Sequence, residues 1–410
     1  MIADSTSANP SFDMLVIGGG MVGAAFACAA ARDGWRIAVI DGQPPAQGWP
    51  AGEIDLRVSA LSRASQRILE RLGVWPRCQA LGVSPYREMV VWDAVGGAEI
   101  RFDSAALGEA DLGHIVENRV TRLALWEALE QTPNVALCCP AAVAALKIDA
   151  TGVQLHLADG RTLSARLVVG ADGRESFLRQ HLGIGTSGYE YDQRAIVAHV
   201  AVAYWHRETA WQRFLPTGPL AFLPLADGRC SIVWSARVDC AEALLALPDA
   251  AFIEALEAAF ERRLGAVQGI GPRASFPLRR QHAHEYVRPR AALIGDAAHT
   301  LHPLAGQGVN LGLLDAAALV DALRHARAHG RDPGGLATLR RYARARRGDN
   351  ALMLAAMDLF KRAFSNRQPP LVVGRNLGLA AANLLPPVKQ LCMRQALGLG
   401  ADLPTLARVG

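Results

Sequence analysis

Residues 13–41 constrain the fold more than any other stretch of the chain. Asp13-Met14-Leu15-Val16-Ile17 is an apolar run of strand length, and it feeds Gly18-Gly19-Gly20-Met21-Val22-Gly23. Ala24–Arg32 is small-residue and helix-prone, Gly34 supplies a helix stop, and a second apolar run, Ile37-Ala38-Val39-Ile40, ends on Asp41. Strand, glycine turn, helix, strand and acid at this spacing describe a dinucleotide-binding βαβ unit. Gly18 is expected to permit the turn, Gly20 to let the backbone approach a pyrophosphate, and Gly23 to let helix and strand pack closely. The helix N-terminus would face the phosphates, and Asp41 would accept from ribose hydroxyls. The glycine pattern alone decides little. Gly183-Ile184-Gly185-Thr186-Ser187-Gly188 matches it too, but no strand precedes it and no apolar helix follows, so it is expected to be loop.

Two later segments repeat the logic of an apolar strand delivering an acid to its carboxyl end, where ligands of doubly wound sheets bind. Leu167–Gly170 leads to Asp172-Gly173-Arg174-Glu175-Ser176, and Ala291–Ile294 leads to Gly295-Asp296-Ala297-Ala298-His299. Asp296 is placed to accept from a ribityl hydroxyl; Asp172 is expected to lie near a pyrophosphate in a more structural role. After Asp296 comes a glycine-rich turn through Pro303, Leu304, Gly306, Gln307 and Gly308 into a helix expected over 309–323. Its backbone N–H groups would point at an electron-rich ring edge, as a reduced flavin requires.

Composition closes off other classes. At 51% hydrophobic and 20% charged residues, the chain is neither disordered nor fibrous. Seven scattered cysteines without a C-x-x-C make neither a disulfide framework nor a zinc knuckle, which points to a reducing, cytoplasmic compartment. The uncharged stretch 14–31 is long enough to raise a transmembrane reading. Three consecutive glycines interrupt it and Asp4 and Asp13 flank it, so neither a membrane span nor a signal peptide is expected. Charge is uneven: residues 321–410 hold 15 Lys/Arg against 5 Asp/Glu, while the first 320 hold 28 against 33. The basic C-terminal quarter suits an anionic membrane surface or an acidic partner. Nucleic acid is not expected, because no aromatics interleave the basic run. No metal site is expected: His299/His302 and His282/His284 have no carboxylate or cysteine at ligand spacing.

The three motifs, in this order, resemble the FAD-dependent aromatic hydroxylases of the para-hydroxybenzoate hydroxylase fold. Asp55-Leu56-Arg57-Val58-Ser59-Ala60-Leu61-Ser62, Val116-Glu117-Asn118, Gly306–Gly312, and Tyr342…Arg346-Arg347…Asp349-Asn350 are similar to the ubiquinone-biosynthesis hydroxylases. Within that set, Ser84-Pro85-Tyr86-Arg87, Thr209–Phe214 and Gly218–Leu225 look most like the enzymes acting on demethoxyubiquinol. The similarity covers about residues 12–400. One departure is Asp41, where the family more often has Glu; the ribose role is kept at shorter reach.

The resemblance implies a Rossmann-like FAD-binding domain of glutathione-reductase type, an inserted mixed β-sheet substrate domain and C-terminal helices. The FAD domain is expected over 12–80, 110–182 and 276–330, the substrate domain over 85–105 and 183–275, and the helical region over 331–410. It implies that NAD(P)H or another reductant reduces FAD, O2 adds at flavin C4a, and the hydroperoxide hydroxylates a polyprenylated phenol or quinol. Pro303 and Leu304 would lie on the ring face, with Gly306, Gln307 and Gly308 at its pyrimidine edge and Val309 and Asn310 following. Arg57 would contact the FAD pyrophosphate or the flavin's swinging edge, or alternatively pair with Glu53 or Asp55, and Arg119 would contact FAD phosphate. His299 is expected as a structural donor rather than a proton shuttle. Tyr86, Phe214, Phe222 and Trp234 are candidates for the ring pocket, with core packing the competing reading. Residues 350–395 suggest a peripheral contact with the membrane's inner face or with other ubiquinone-biosynthesis proteins. Other ring positions, a polyprenyl reductase, and a flavin-free assembly subunit stay open.

Overall fold

The computed structural model describes residues 12–300, 308–364, 389–390, 393–394, 397–400 and 402–409. Its centre is a six-stranded sheet in the order Val287–Arg288, Ala291–Leu293, Leu167–Gly170, Met14–Ile17, Ile37–Ile40, Val135–Cys138. Every pairing is parallel except the edge pair of Val287–Arg288 with Ala291–Leu293. The inner strands (MLVI, IAVI, LVVG) are apolar at every position because both faces are covered.

The helix Met21–Arg32 lies on this sheet with Gly23 to Ala31 all buried, as expected of a helix that is apolar all round. Against it packs Gly308–Ala328, the helix expected over 309–323, five residues longer at its C-terminal end. The two approach closely: a Cβ on Gly312 would stand 2.5 Å from the Val22 side chain.

A nine-stranded sheet forms the second layer. It runs His299–Thr300, Ala274–Ala283, Thr186–Val202, Cys230–Arg237, Gly218–Pro224, Thr209–Leu215, Glu88–Asp93, Glu99–Asp103, with Val267–Ile270 also paired to Thr186–Val202. One face packs on the helices Val238–Ala246 and Asp249–Phe260 through Phe252, Leu256 and Phe260. The other turns toward the six-stranded half, where Ala210, Ala221 and Leu223 meet Tyr86, Leu112 and Ile115.

Three expectations change. The boundary at 276 falls inside the strand Ala274–Ala283, because that strand pairs along Thr186–Val202 and His299–Thr300 pairs back onto it. Residues 186–188, expected as loop, begin the 17-residue strand Thr186–Val202. The C-terminal region, expected as helical over 331–410, is helical over Leu336–Phe364 and beyond it also gives residues to the core. Met393 and Leu397 return to the cluster around Tyr86, and Leu406 and Ala407 enter the main core. Most of the apolar–basic stretch 350–395 lies outside the described residues, as do Pro303, Leu304, Gly306 and Gln307. No described helix is long and apolar enough to cross a membrane.

Candidate active site

The glycine turn is built by close approach. Gly18 has φ +100°, a backbone state open to glycine, and a Cβ there would meet the Ala171 carbonyl oxygen at 2.4 Å. A Cβ on Gly23 would sit 2.0 Å from the Gly18 oxygen. Gly20 differs: nothing lies within 4 Å of where its Cβ would be. It caps the helix Met21–Arg32, whose first N–H groups receive no side-chain cap and lie open to the cleft.

That cleft encloses about 1450 Å³. Gly18, Gly20, Asp41, Asp172 and Phe177 line one side, and Glu53, Arg57, His199, Arg229 and Gly271 the other. Asp41 accepts from the N–H of Gly19 at 2.6 Å and of Gln43 at 2.9 Å. It therefore braces the glycine turn as well as facing the cleft. Asp172 accepts from Leu178 N–H at 3.1 Å, while its other oxygen is buried with no partner among the described residues. Burial pushes its pKa up, and hydrogen bonds from Ser176 and the following backbone pull it partly back.

Arg57 lines the cleft and stands 5.6 Å from the Phe276 ring; its guanidinium pairs with neither Glu53 nor Asp55. Arg119 also lines the cleft, but it is engaged by protein: Nε donates to Glu117 at 2.8 Å and Nη1 to Glu53 at 3.0 Å. A residue missed in the sequence is Arg122, one helical turn on. It donates to the Gly19 carbonyl at 3.3 Å, stands 3.4 Å from Asp41 and bonds the Gln43 carbonyl. Its i,i+3 spacing from Arg119 was the available signal. Trp126, on the same helix, donates to the Gly19 oxygen at 2.6 Å.

At the end of the other acid-bearing strand, Asp296 is exposed. The surrounding protein pushes its pKa up, against the pull of His299, Arg57 and Arg174. Gly295 takes φ +59°, and its N–H donates to Asp315 at 3.2 Å. Asp315 is fully buried and holds a network the sequence reading did not foresee. Its carboxylate bonds His299 Nε2, Arg346 Nε at 2.9 Å and Asn350 Nδ2 at 3.0 Å. Asn350 also donates to the Tyr286 hydroxyl at 3.3 Å, which bonds His282 at 2.9 Å. Burial alone would raise the Asp315 pKa; His299, Arg346 and Asn350 outweigh it and hold it at about 2. His299 is thus a tethered side chain beside the loop, and Asp315 clamps both the Gly295 turn and the strand leaving it.

Asn310, expected among the cofactor contacts, has its side chain engaged by protein. Its side chain accepts from Ser62 N–H at 3.0 Å and the Ser65 hydroxyl at 2.7 Å and donates to the Ala60 carbonyl at 2.8 Å. The main-chain N–H groups of Gly308 and Val309 stand in the first turn of the same helix.

The four aromatics divide by sheet face. Tyr86 belongs to the inner cluster, and Phe214 shares strand parity with Ala210 of that cluster. Phe222 stacks on Phe260 at 3.7 Å and Trp234 meets Phe252 edge-on at 6.0 Å, both against the outer helices. These two are core residues, since alternate side chains of a strand point to opposite faces. Among the described residues no His, Cys, Asp and Glu cluster could hold a metal.

The open space at Gly20, the uncapped helix start, the partnerless oxygen of Asp172 and the flanking arginines fit a dinucleotide. The model of the FAD-binding domain family matches residues 11–353, and the chain belongs to that family as an FAD-dependent hydroxylase. It belongs, more narrowly, with the ubiquinone hydroxylases. It is 44% identical to ubiquinone hydroxylase UbiL of Rhodospirillum rubrum, over 98% of this chain and 94% of that protein. It is 42% identical to the 3-demethoxyubiquinol 3-hydroxylase of Escherichia coli, over 95% and 100%. The fold is also that of p-nitrophenol 4-monooxygenase PnpA from Pseudomonas putida, at TM-score 0.78 and 20% identity over 96% of this chain and 100% of that one.

Proposed function

We propose that this chain hydroxylates the ring of a polyprenylated phenol or quinol in ubiquinone biosynthesis, and that its reaction is the last one, on demethoxyubiquinol. The observation carrying the reading is the pairing of a dinucleotide-shaped cleft with near full-length similarity to a demethoxyubiquinol hydroxylase. A second reading, another ring position of the same pathway, stays beside it because the 44% identical relative UbiL is named a ubiquinone hydroxylase with no ring position. Polyprenyl reduction and a non-catalytic assembly role have no such support.

Gly18, Gly20 and the first turn of Met21–Arg32 would receive the pyrophosphate, with Asp41 on the ribose and Arg122, Arg57 and Arg119 at the rim. Asp296 would accept from a ribityl hydroxyl. Once reduced by NAD(P)H or another donor, bound FAD supplies O2 activation and an electrophilic oxygen for the ring. The protein's share is orientation and exclusion of water. Asp315 fixes the Gly295 turn and His299, so the strand end keeps one geometry. Gly308 and Val309 offer N–H groups at a helix start, where developing negative charge is stabilised. Tyr86 and Phe214 would flank the ring. The polyprenyl chain places the reaction at a membrane surface.

The test is complementation of bacterial strains blocked at each ubiquinone ring hydroxylation, read by mass spectrometry of lipid extracts. Restored ubiquinone in the demethoxyubiquinol-blocked strain is expected. Restoration only in an earlier-blocked strain would move the assignment to that carbon, and restoration in none would overturn the pathway assignment.

A further inference from the structure

The helix Leu336–Phe364 carries two unlike faces. Leu339, Tyr342, Arg346 and Asn350 point inward, the last two onto Asp315. Arg340, Arg341, Arg344 and Arg347 point outward and are all exposed. Arg340, Arg344 and Arg347 form one stripe at i, i+4 and i+7, about 10 Å long at 1.5 Å rise per residue. The only acid between 336 and 350 is Asp349, and it is paired with Arg346 at 3.2 Å. None of the four outward arginines pairs with an acid among the described residues. Arg331 and Arg341 lie within electrostatic reach of His325 on the preceding helix, whose ring is 4.2 Å from that of His329, so the basic surface continues across the helix junction. Further along the same outward face stands Leu352, 67% exposed.

Among the described residues most other arginines have carboxylate partners; these do not. Exposed like charges within one helical stripe repel, and a counter-surface would relieve that. A row of unpaired arginines with an exposed leucine beside it matches the interface of an anionic bilayer, where the cations meet phosphates and the apolar group enters the headgroup boundary. An acidic protein would satisfy the arginines but not the leucine. We propose that this face, Arg331 with Arg340, Arg341, Arg344, Arg347 and Leu352, docks the enzyme on anionic lipid headgroups. The proposal rests on the reading of the substrate as a polyprenyl lipid. It places the contact N-terminal to most of the stretch expected from sequence, and on the helix whose inner side clamps Asp315.

The experiment is co-sedimentation of the full-length, FAD-loaded protein with vesicles of phosphatidylglycerol and phosphatidylethanolamine, and with vesicles of phosphatidylcholine alone. The expected result is binding to the anionic vesicles only, weakened by salt. The combined variant Arg340→Gln, Arg341→Gln, Arg344→Gln should partition about 100-fold less. These residues touch no part of the cleft, so the variant should consume oxygen at the normal rate on a short-chain quinol and lose rate only on vesicle-embedded substrate. Equal binding to phosphatidylcholine, unchanged partitioning of the variant, or no vesicle binding at low salt would each overturn the proposal. Binding is scored without turnover, so failure of the hydroxylase reading would show separately, as absent oxidation of every quinol tested.

Discussion

At the scale of single residues, Gly20 and Gly23 separate what the cofactor needs from what the fold needs. A methyl on Gly23 would strike the Gly18 carbonyl at 2.0 Å, whereas one on Gly20 enters open cleft. Gly23→Ala should therefore cost about 1–3 kcal/mol of stability and lower flavin content with it. Gly20→Ala should leave the thermal midpoint of the apoprotein unchanged while weakening FAD binding at least tenfold, a split that calorimetry and flavin fluorescence together would read. Asp315 is the other decisive residue. Asp315→Asn leaves the buried Arg346 with only the exposed Asp349 as counter-charge and should cost about 3 kcal/mol in urea unfolding. A change under 1 kcal/mol would mean that the clamp is redundant.

At the scale of elements, the nine-stranded sheet assigns roles by side. Phe222→Ala removes a ring stacked on Phe260 and should lower stability by about 3–5 kcal/mol with little change in KM. Phe214→Ala, on the inner face, should raise KM for the phenolic substrate several-fold; steady-state kinetics beside unfolding curves would distinguish them. The same sheet shows where sequence reading stops. Met14–Ile17, its glycine turn and Asp41 were legible because their chemistry is local: strand, turn, helix and acid lie within 30 residues. The faces of the middle strands were not, because both sides of Gly218–Pro224 are buried and apolar, so period-two alternation carries no label for inside and outside. That Asp315 and Arg346 meet was invisible for a different reason. Their pairing spans two helices and 31 residues, and either residue alone reads as an ordinary surface charge on an amphipathic helix.

At the scale of the whole molecule, buried histidines and the Asp315 network set opposite ends of an acid response. Burial, with help from His299 and Arg347, pushes the His282 pKa down to about 4. The burial of His114, His199 and His206 moves theirs in the same direction. Below pH 6.5 the unfolded chain takes up these protons before the folded one does, so stability rises with pH through that window. The urea midpoint should thus fall as pH drops from 6.5 toward 4, and His282→Gln should flatten part of that slope. A second loss should follow between about pH 4 and pH 2, as the unfolded chain protonates its counterpart of Asp315 first. A midpoint constant from pH 6.5 to 4 would contradict the histidine assignment.

The interleaving of the two layers has a consequence for how the protein is made. Met14–Ile17 leaves the ribosome with one neighbour, Ile37–Ile40, close behind, but its other neighbour, Leu167–Gly170, is about 150 residues later. At ordinary translation rates that is roughly 10–30 s during which a fully apolar strand has an open edge. On the proposed site, Gly295, Asp296 and Gly308 would be the last cofactor contacts made, so a nascent chain would close on FAD only after three-quarters of it has been synthesised. Flavin starvation should then strike newly made copies rather than old ones, and a pulse-chase in riboflavin-limited cells would show young protein degraded while the mature, yellow pool persists.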